Sequence, residues 1–258
     1  MPESATLPAE KKPGFGATER TDNWWVAPLL SGLGFGAFVV YCILRAVHNK
    51  YYHAPSPTYG PLLSPLYSPL IILKGLPAWF SPAFFILWIP AGLRATCYYY
   101  RKAYYRSYFA HPTACAVGEP WKGYDGETKF PFVLQNLHRY FIYGGAVILL
   151  FLWYDVFKAL RWHGSWGVSV GTLVLFANTL FLSFYTFSCH SFRHIFGGCV
   201  DCFSKACAGD LRHKVWKGIS RLNEHHMFWA WCSLTTVGLA DFYVWMVGSH
   251  VIRDYRIF

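Results

Sequence analysis

Charged side chains are scarce in this sequence, and acidic ones are the scarcest. Of 258 residues, 13 are Asp or Glu and 23 are Lys or Arg, so charged residues make up 14% of the chain. Soluble domains carry roughly 25%. Hydrophobic residues reach 54% and aromatic residues 20%. The composition therefore excludes an ordinary soluble domain and predicts an integral membrane protein.

The N-terminal stretch lacks the apolar core and the cleavage site of a signal peptide. Residues 1–23 are largely polar, and we expect them to form a short retained tail. Residues 24–258 would then form one transmembrane domain. No internal repeat is visible, which argues against the paired architecture of many transporters, the alternative class of function.

Five apolar segments are long enough to cross a bilayer, which takes about 20 residues. Between the first two, repeated prolines break any helix and predict a structured surface loop or a re-entrant cap. The sequence thus predicts an all-α fold, a polytopic membrane helix bundle with five transmembrane helices. The five segments are residues 25–47, 79–100, 132–157, 168–195 and 226–248.

Basic residues are distributed unevenly between the two sides of this predicted bundle. If the N-terminus is cytoplasmic, the outer side holds seven of the 23 Lys and Arg residues and the inner side holds the others. The positive-inside rule then predicts a multi-pass membrane protein with a cytoplasmic N-terminus. The inner charge suits anionic membrane lipids or the docking of a soluble protein, and we expect no nucleic-acid partner.

Polar and ionisable residues gather at the predicted cytoplasmic ends of four segments. Such residues are costly in lipid and usually face the bundle interior at a functional site. The opposite leaflet offers only His48, Asp155 and Asp241, which we expect to make structural contacts between helices. The inner set consists of Arg94, Cys97, Gln135, His138, Arg139, Cys189, His190, Arg193, His194, His225 and His226.

Histidines in this inner set suggest a haem, since histidine is the usual haem ligand in such bundles. The second segment contains no histidine, and the outer leaflet offers only His48. Two stacked haems would therefore lack ligands. A single b haem remains open, with His138 and one of His190, His194 or His226 as its ligands.

Two cysteines at the same level give an alternative to haem. Cys97 and Cys189 with two of the four histidines form the ligand set of a Rieske-type 2Fe-2S cluster, whose potential of about −150 to +300 mV suits exchange with a quinone. A polar quinone pocket without a metal is the third interpretation. The candidate metal ligands are Cys97, His138, Cys189, His190, His194 and His226.

A second cysteine cluster lies between the fourth and fifth segments. Cys199, Cys202 and Cys207 form a C-x2-C-x4-C run, with His213 or Cys115 as a conceivable fourth ligand. A structural zinc site needs four ligands, and this run supplies three. We interpret these cysteines as solvated loop residues, with a zinc site as the alternative.

Several motifs resemble one protein family. The stretches CYYYRKAYYR, GETKFPFVLQNLHRYF, SCHSFRH and RLNEHHM, together with HPTACAVGEP, are similar to the single-chain, five-helix, cytochrome b-like membrane anchor of a bacterial succinate dehydrogenase, complex II. The resemblance covers the chain from the second segment to the C-terminus. It implies a flavoprotein and an iron–sulfur subunit docked on the cytoplasmic face, which pass electrons from succinate to a quinone, and the complex could form a higher oligomer.

The resemblance also implies roles for individual residues. In better-known anchors with two haems the second helix supplies a histidine ligand, whereas Cys97 lies in that region here, which favours a haem-free variant. The quinone would be menaquinone or ubiquinone. Arginine suits a quinone carbonyl because it donates hydrogen bonds and stays charged. The residues expected to line the quinone site or to meet the partner subunit are Tyr98, Arg101, Lys102, Gln135, Arg139, Arg193 and Trp229.

Overall fold

Helices form most of the computed structural model, which describes residues 14–54, 60–75, 77, 80–121, 128–130, 132–162 and 164–258. Most of the predicted N-terminal tail and Trp79, the predicted start of the second segment, lie outside these residues. The helices are α1 (Val26–His48), α2 (Phe84–Ala95), α3 (Tyr98–Ser107), α4 (His138–Ala159), α5 (Val170–Phe187), α6 (His190–Gly197), α7 (Gly209–Glu224) and α8 (His226–Gly248). Two short antiparallel hairpins, β1 (His53–Ala54) with β2 (Leu62–Leu63) and β3 (Arg161–Trp162) with β4 (Ser165–Trp166), join helices. The all-α prediction is therefore confirmed.

The second predicted segment is interrupted, which corrects its prediction as one continuous helix. Helix α2 ends at Ala95, and Cys97 adopts an extended backbone conformation before α3 begins. The Thr96 hydroxyl donates a 2.6 Å hydrogen bond to the Gly92 carbonyl. Such back-bonding offers the backbone an alternative to continuing the helix, and it often bends or ends helices.

The fourth predicted segment is interrupted in the same way. Helix α5 ends at Phe187, and Cys189 is extended before α6 begins. Here the Ser188 hydroxyl donates to the Tyr185 carbonyl at 3.1 Å. A hydroxyl residue followed by a cysteine thus marks both breaks.

Four helical segments are long and apolar enough to span a membrane: Val26–His48, Phe132–Ala159, Val170–Phe187 and His226–Gly248. The third predicted segment begins with a 3-10 helix, Phe132–Leu137, that leads into α4. Helix α2 is apolar but has only 12 residues, and at 1.5 Å per residue it reaches about 18 Å, less than a hydrocarbon core. The chain is therefore a membrane helix bundle with four long candidate spans and one short apolar helix in the part of the chain that is described.

The core of the bundle is formed by α4, α5 and α8, with α2 packed on α4. Helix α1 packs on α3 and α8, and most of its apolar side chains point outward, as a lipid-facing helix requires. Helix α7 carries its polar face outward and packs on α6. The exposed apolar residues of α1 include Leu29, Leu30, Leu33, Val40, Ile43, Leu44 and Val47.

An ion pair closes the end of the bundle opposite the helix breaks. Asp241 on α8 is fully buried and accepts a 2.6 Å hydrogen bond from Arg45 Nε of α1. The hydroxyls of Tyr41 and Ser64 also donate to this carboxylate, each at 2.5 Å. The carboxylate is therefore paired and hydrogen-bonded, as a buried charge requires, which agrees with the structural role expected for Asp241.

Candidate functional site

A half-buried histidine on α4 joins the two helix breaks. His138 Nδ1 lies 2.9 Å from the Thr96 hydroxyl oxygen at the first break. His138 Nε2 lies 3.0 Å from the Cys189 sulfur at the second break. The imidazole of His138 therefore bridges the end of α2 and the start of α6.

A second histidine, at the start of α8, makes the reciprocal connection. His226 Nδ1 lies 2.6 Å from the Ser188 hydroxyl oxygen at the second break. His226 Nε2 lies 3.6 Å from the Cys97 sulfur at the first break. Each break therefore supplies a hydroxyl to one histidine and a thiol to the other, so the two sets of contacts cross.

The hydroxyl contacts allow one particular protonation of the two rings. If Thr96 donates its hydrogen to the Gly92 carbonyl and Ser188 to the Tyr185 carbonyl, each hydroxyl oxygen accepts from Nδ1–H. The proton of each neutral ring then lies on Nδ1, and the lone pair of Nε2 points at a cysteine sulfur. A histidine whose other ring nitrogen donates to a second group is the usual arrangement of a metal ligand.

Apolar and aromatic side chains surround these four groups. Cys97 is 1% exposed and Cys189 is 3% exposed, and both belong to one buried cluster with Leu93, Ile142 and Tyr185. The His226 ring stacks on Tyr185 with 5.1 Å between ring centroids and 19° between ring planes. The environment excludes water, which a redox centre inside a membrane needs in order to transfer electrons without side reactions.

Two further polar groups border the cluster and were not among the candidate site residues. Arg94 is buried and donates to Tyr100, Ser233 and the Ala230 carbonyl, and no carboxylate pairs with it among the described residues. The Tyr185 hydroxyl is buried beside Cys97 and has no hydrogen-bond partner of normal geometry in the described part of the chain.

Four of the six predicted metal ligands meet at this site. They are Cys97, His138, Cys189 and His226. His190 and His194, which the sequence offered as alternatives, lie on α6 with exposed side chains. The sequence did contain a signal for the missed hydroxyls, since Thr96 and Ser188 directly precede the two cysteines in the dipeptides Thr-Cys and Ser-Cys.

Six of the seven residues predicted to line the quinone site or to meet the partner subunit, all but Lys102, have separate surroundings. Tyr98 and Arg139 are exposed, and Arg101 lies over the Tyr98 ring. The Gln135 amide donates to the Tyr104 hydroxyl at 2.8 Å. Arg193 donates to Ser220, whereas Trp229 stacks near Phe184. None of the six lines the large cavity inside the described bundle, so their part in quinone binding stays a prediction.

The described residues contain no group of three His, Cys, Asp or Glu side chains close enough to hold a metal ion by themselves. The loop cysteines Cys199, Cys202 and Cys207 are exposed, and the zinc alternative gains no support from their arrangement. A 2Fe-2S cluster has a different requirement, because each iron takes two protein ligands and two bridging sulfides. Two cysteines and two histidines match the number and the types of ligands in that donor set, whereas the contacts described here pair each cysteine with a histidine.

Comparisons with known proteins agree with the fold. The fold and the site define a polytopic membrane protein with a buried cysteine and histidine site between its helices. The model of a family described as actinobacterial succinate dehydrogenase subunit SdhC matches residues 26–250. A solved chain from the Mycobacterium smegmatis Sdh1 complex in the apo form is 41% identical, with a TM-score of 0.86 over 98% of each chain. No match is found among the curated proteins.

The chain therefore belongs to the actinobacterial SdhC family and is a membrane-anchor subunit of a succinate dehydrogenase, an oxidoreductase. This confirms the resemblance that the sequence motifs suggested.

Proposed function

We propose that this subunit passes electrons from a docked iron–sulfur subunit to a membrane quinone through a Rieske-type 2Fe-2S cluster held by Cys97, Cys189, His138 and His226. The observation that carries the proposal is the crossed set of contacts in which each histidine joins the hydroxyl of one helix break to the thiol of the other. The succinate itself is oxidised by the flavoprotein subunit, not by this chain.

The ligand chemistry supports this assignment. A Rieske-type cluster is held by two cysteine sulfurs on one iron and two histidine nitrogens on the other, and it carries one electron at a potential compatible with quinones. Thr96 and Ser188 orient the rings so that the unprotonated Nε2 atoms face the site. The buried cation of Arg94 would stabilise the negative charge that such a centre gains on reduction.

A single b haem is the second candidate, because His138 and His226 come from two different helices of the bundle. The contacts favour the iron–sulfur assignment, since both Nε2 atoms face cysteine sulfurs. A haem would leave the two buried thiols without a function.

The membrane arrangement is part of the proposal. Helices α2 and α3 together form the second of five spans, residues 24–258 form the transmembrane domain, and the N-terminus lies in the cytoplasm of the bacterium. The helix breaks then lie near the cytoplasmic surface. The flavoprotein and iron–sulfur subunits dock on that surface against its exposed basic residues, which include Lys102, Arg106, Lys205, Lys214, Lys217 and Arg221.

The deciding experiment is electron paramagnetic resonance and optical spectroscopy of the purified complex at defined potentials. We expect a reduced Rieske-type signal that disappears in Cys189→Ser and in His226→Ala. Cys232→Ser is the matched control, because Cys232 on α8 is not a member of the site. A b-type haem absorption without an iron–sulfur signal would overturn the proposal in favour of the single haem.

A further inference from the structure

The bundle encloses a cavity of about 490 Å³ between α1, α2, α4 and α5, with Val237 of α8 also in its wall. This volume lies within the range of small-molecule sites, roughly 300 to 1,000 Å³. Ala46 and Leu66 line one end, and Arg94 and Tyr185 line the other. The walls between these ends are almost entirely aliphatic and aromatic.

The polar end of the cavity has hydrogen-bond donors to spare. The described contacts of Arg94 supply three acceptors, whereas a guanidinium has five N–H groups. The Tyr185 hydroxyl is buried, and its described polar neighbour is the Cys97 thiol, whose sulfur is a weak acceptor. Leaving a buried donor unpaired is costly, so this end of the cavity suits a ligand that brings acceptor atoms.

The polar end also lies beside the proposed cluster. Arg94 precedes Cys97 by three residues, and the Tyr185 ring stacks on His226. The Arg94 guanidinium lies over the Tyr185 ring, 4.8 Å from its centroid, so a ligand that accepts hydrogen bonds from both side chains would lie next to two of the proposed cluster ligands. This position would suit an electron acceptor.

The side of the cavity has access to the surrounding lipid. Four of its lining residues have 39% or more of their surface exposed, namely Val39, Ile43, Phe84 and Trp88. These residues lie on α1 and α2. A long apolar tail could therefore leave the cavity between these two helices while the head stays inside.

From these observations we propose that the cavity binds the isoprenoid quinone itself, with the headgroup carbonyls accepting hydrogen bonds from Arg94 and Tyr185 and the tail passing between α1 and α2. This inference rests on the proposed function and names the binding place of its acceptor. A phospholipid acyl chain would fit the apolar walls, but it has no acceptor atoms for the donors at the inner end. A quinone brings both the acceptor atoms for these donors and an apolar tail for the walls.

The test uses the purified complex with a short-tailed quinone as acceptor and a photoreactive quinone as the binding probe. Tyr185→Phe removes only the hydroxyl, and we expect the KM for quinone to rise about 2- to 10-fold, the loss of one hydrogen bond. Val39→Trp should block the entrance, raise the KM and reduce photolabelling of α1 and α2. Val40→Trp, the neighbouring residue outside the cavity lining, is the matched control and should match the parent complex.

The outcomes separate this inference from the proposed function. Unchanged KM and labelling in both Tyr185→Phe and Val39→Trp would overturn the cavity site. If the KM rises in Arg101→Ala or Arg139→Ala instead, the headgroup binds at the surface. Added phospholipid that displaces the photolabel would show that the cavity holds a lipid chain. A parent complex that reduces an artificial acceptor of the soluble subunits but never reduces or binds quinone would overturn the proposed function as well.

Discussion

The Nε2 atom of His138 on α4 lies 3.0 Å from the sulfur of Cys189, which ends the apolar run of α5 with an extended residue. If the helix continued unbroken through residue 189, the direction of that thiol would be set by the helical periodicity of α5. The break instead turns Cys189 towards a histidine from another helix. The interruption of the helix is therefore part of how the site is built.

The hydroxyls at the breaks should control how firmly the cofactor is held. We expect Ser188→Ala to weaken iron retention by about 10- to 100-fold, because the hydrogen bond to a ligand histidine fixes its ring orientation. Iron per flavin, measured after incubation with increasing chelator, reports this change. Ser249→Ala at the far end of α8 serves as the control, and equal iron retention in the two variants would contradict the prediction.

Removing one member of the Arg45–Asp241 ion pair should destabilise the protein more than replacing both members with apolar residues. Arg45→Ala leaves a buried carboxylate unpaired, and we expect a loss of about 3–5 kcal/mol in stability. The double variant Arg45→Met with Asp241→Leu removes both charges and should recover most of this loss. Thermal unfolding of the complex in detergent measures both, and a double variant less stable than Arg45→Ala would refute the pair as the cause.

Thiol labelling can test the proposed orientation without removing any residue. Cys115, Cys199, Cys202 and Cys207 are exposed, and all four lie on the proposed cytoplasmic side. A membrane-impermeant maleimide should therefore label the chain in inverted vesicles stripped of the soluble subunits, but not in intact cells. Labelling in intact cells would reverse the orientation. Ser249→Cys, on the opposite side, should add labelling in intact cells.

The rates of labelling should also differ between these thiols. The Ser204 hydroxyl, 2.9 Å from the Cys202 sulfur, lowers the pKa of that thiol. A lower pKa gives a larger thiolate fraction near neutral pH, and the thiolate is the reactive form. We expect Cys202 to react faster than Cys207 at pH 7, with the difference shrinking in Ser204→Ala. Peptide mapping by mass spectrometry measures both rates.

Docking of the soluble subunits should depend on the exposed face of α7. Replacing Lys214 and Lys217 with glutamate reverses two exposed charges on this helix, and we expect weaker and more salt-sensitive co-purification of the flavoprotein. Arg253→Glu, on the proposed outer side, is the control. Normal recovery of the complex at high salt from the Lys214 and Lys217 variant would show that α7 lies outside the interface.

The sequence by itself determined that this is a membrane protein and located its four long apolar helices, whereas α7 and the separation of α2 from α3 and of α5 from α6 were not predicted. A chain with so few charged residues and such long apolar runs is too apolar for a soluble domain, so composition alone predicted the membrane bundle. The segment 226–248 matches α8 in full, because its ends are set by local polarity. The cysteines and histidines of the site were also among the candidates, because they lie at the same predicted depth in the membrane.

Only the tertiary structure decided which side chains meet. The breaks at Cys97 and Cys189 depend on hydroxyl groups that bond backbone carbonyls one turn earlier, and apolar periodicity carries no information about them. His138 and His226 contact the cysteines because α4 and α8 place their rings between the two breaks. The histidines of α6, His190 and His194, are exposed instead. Such contacts join residues far apart in the chain, and the relative positions of packed helices fix them.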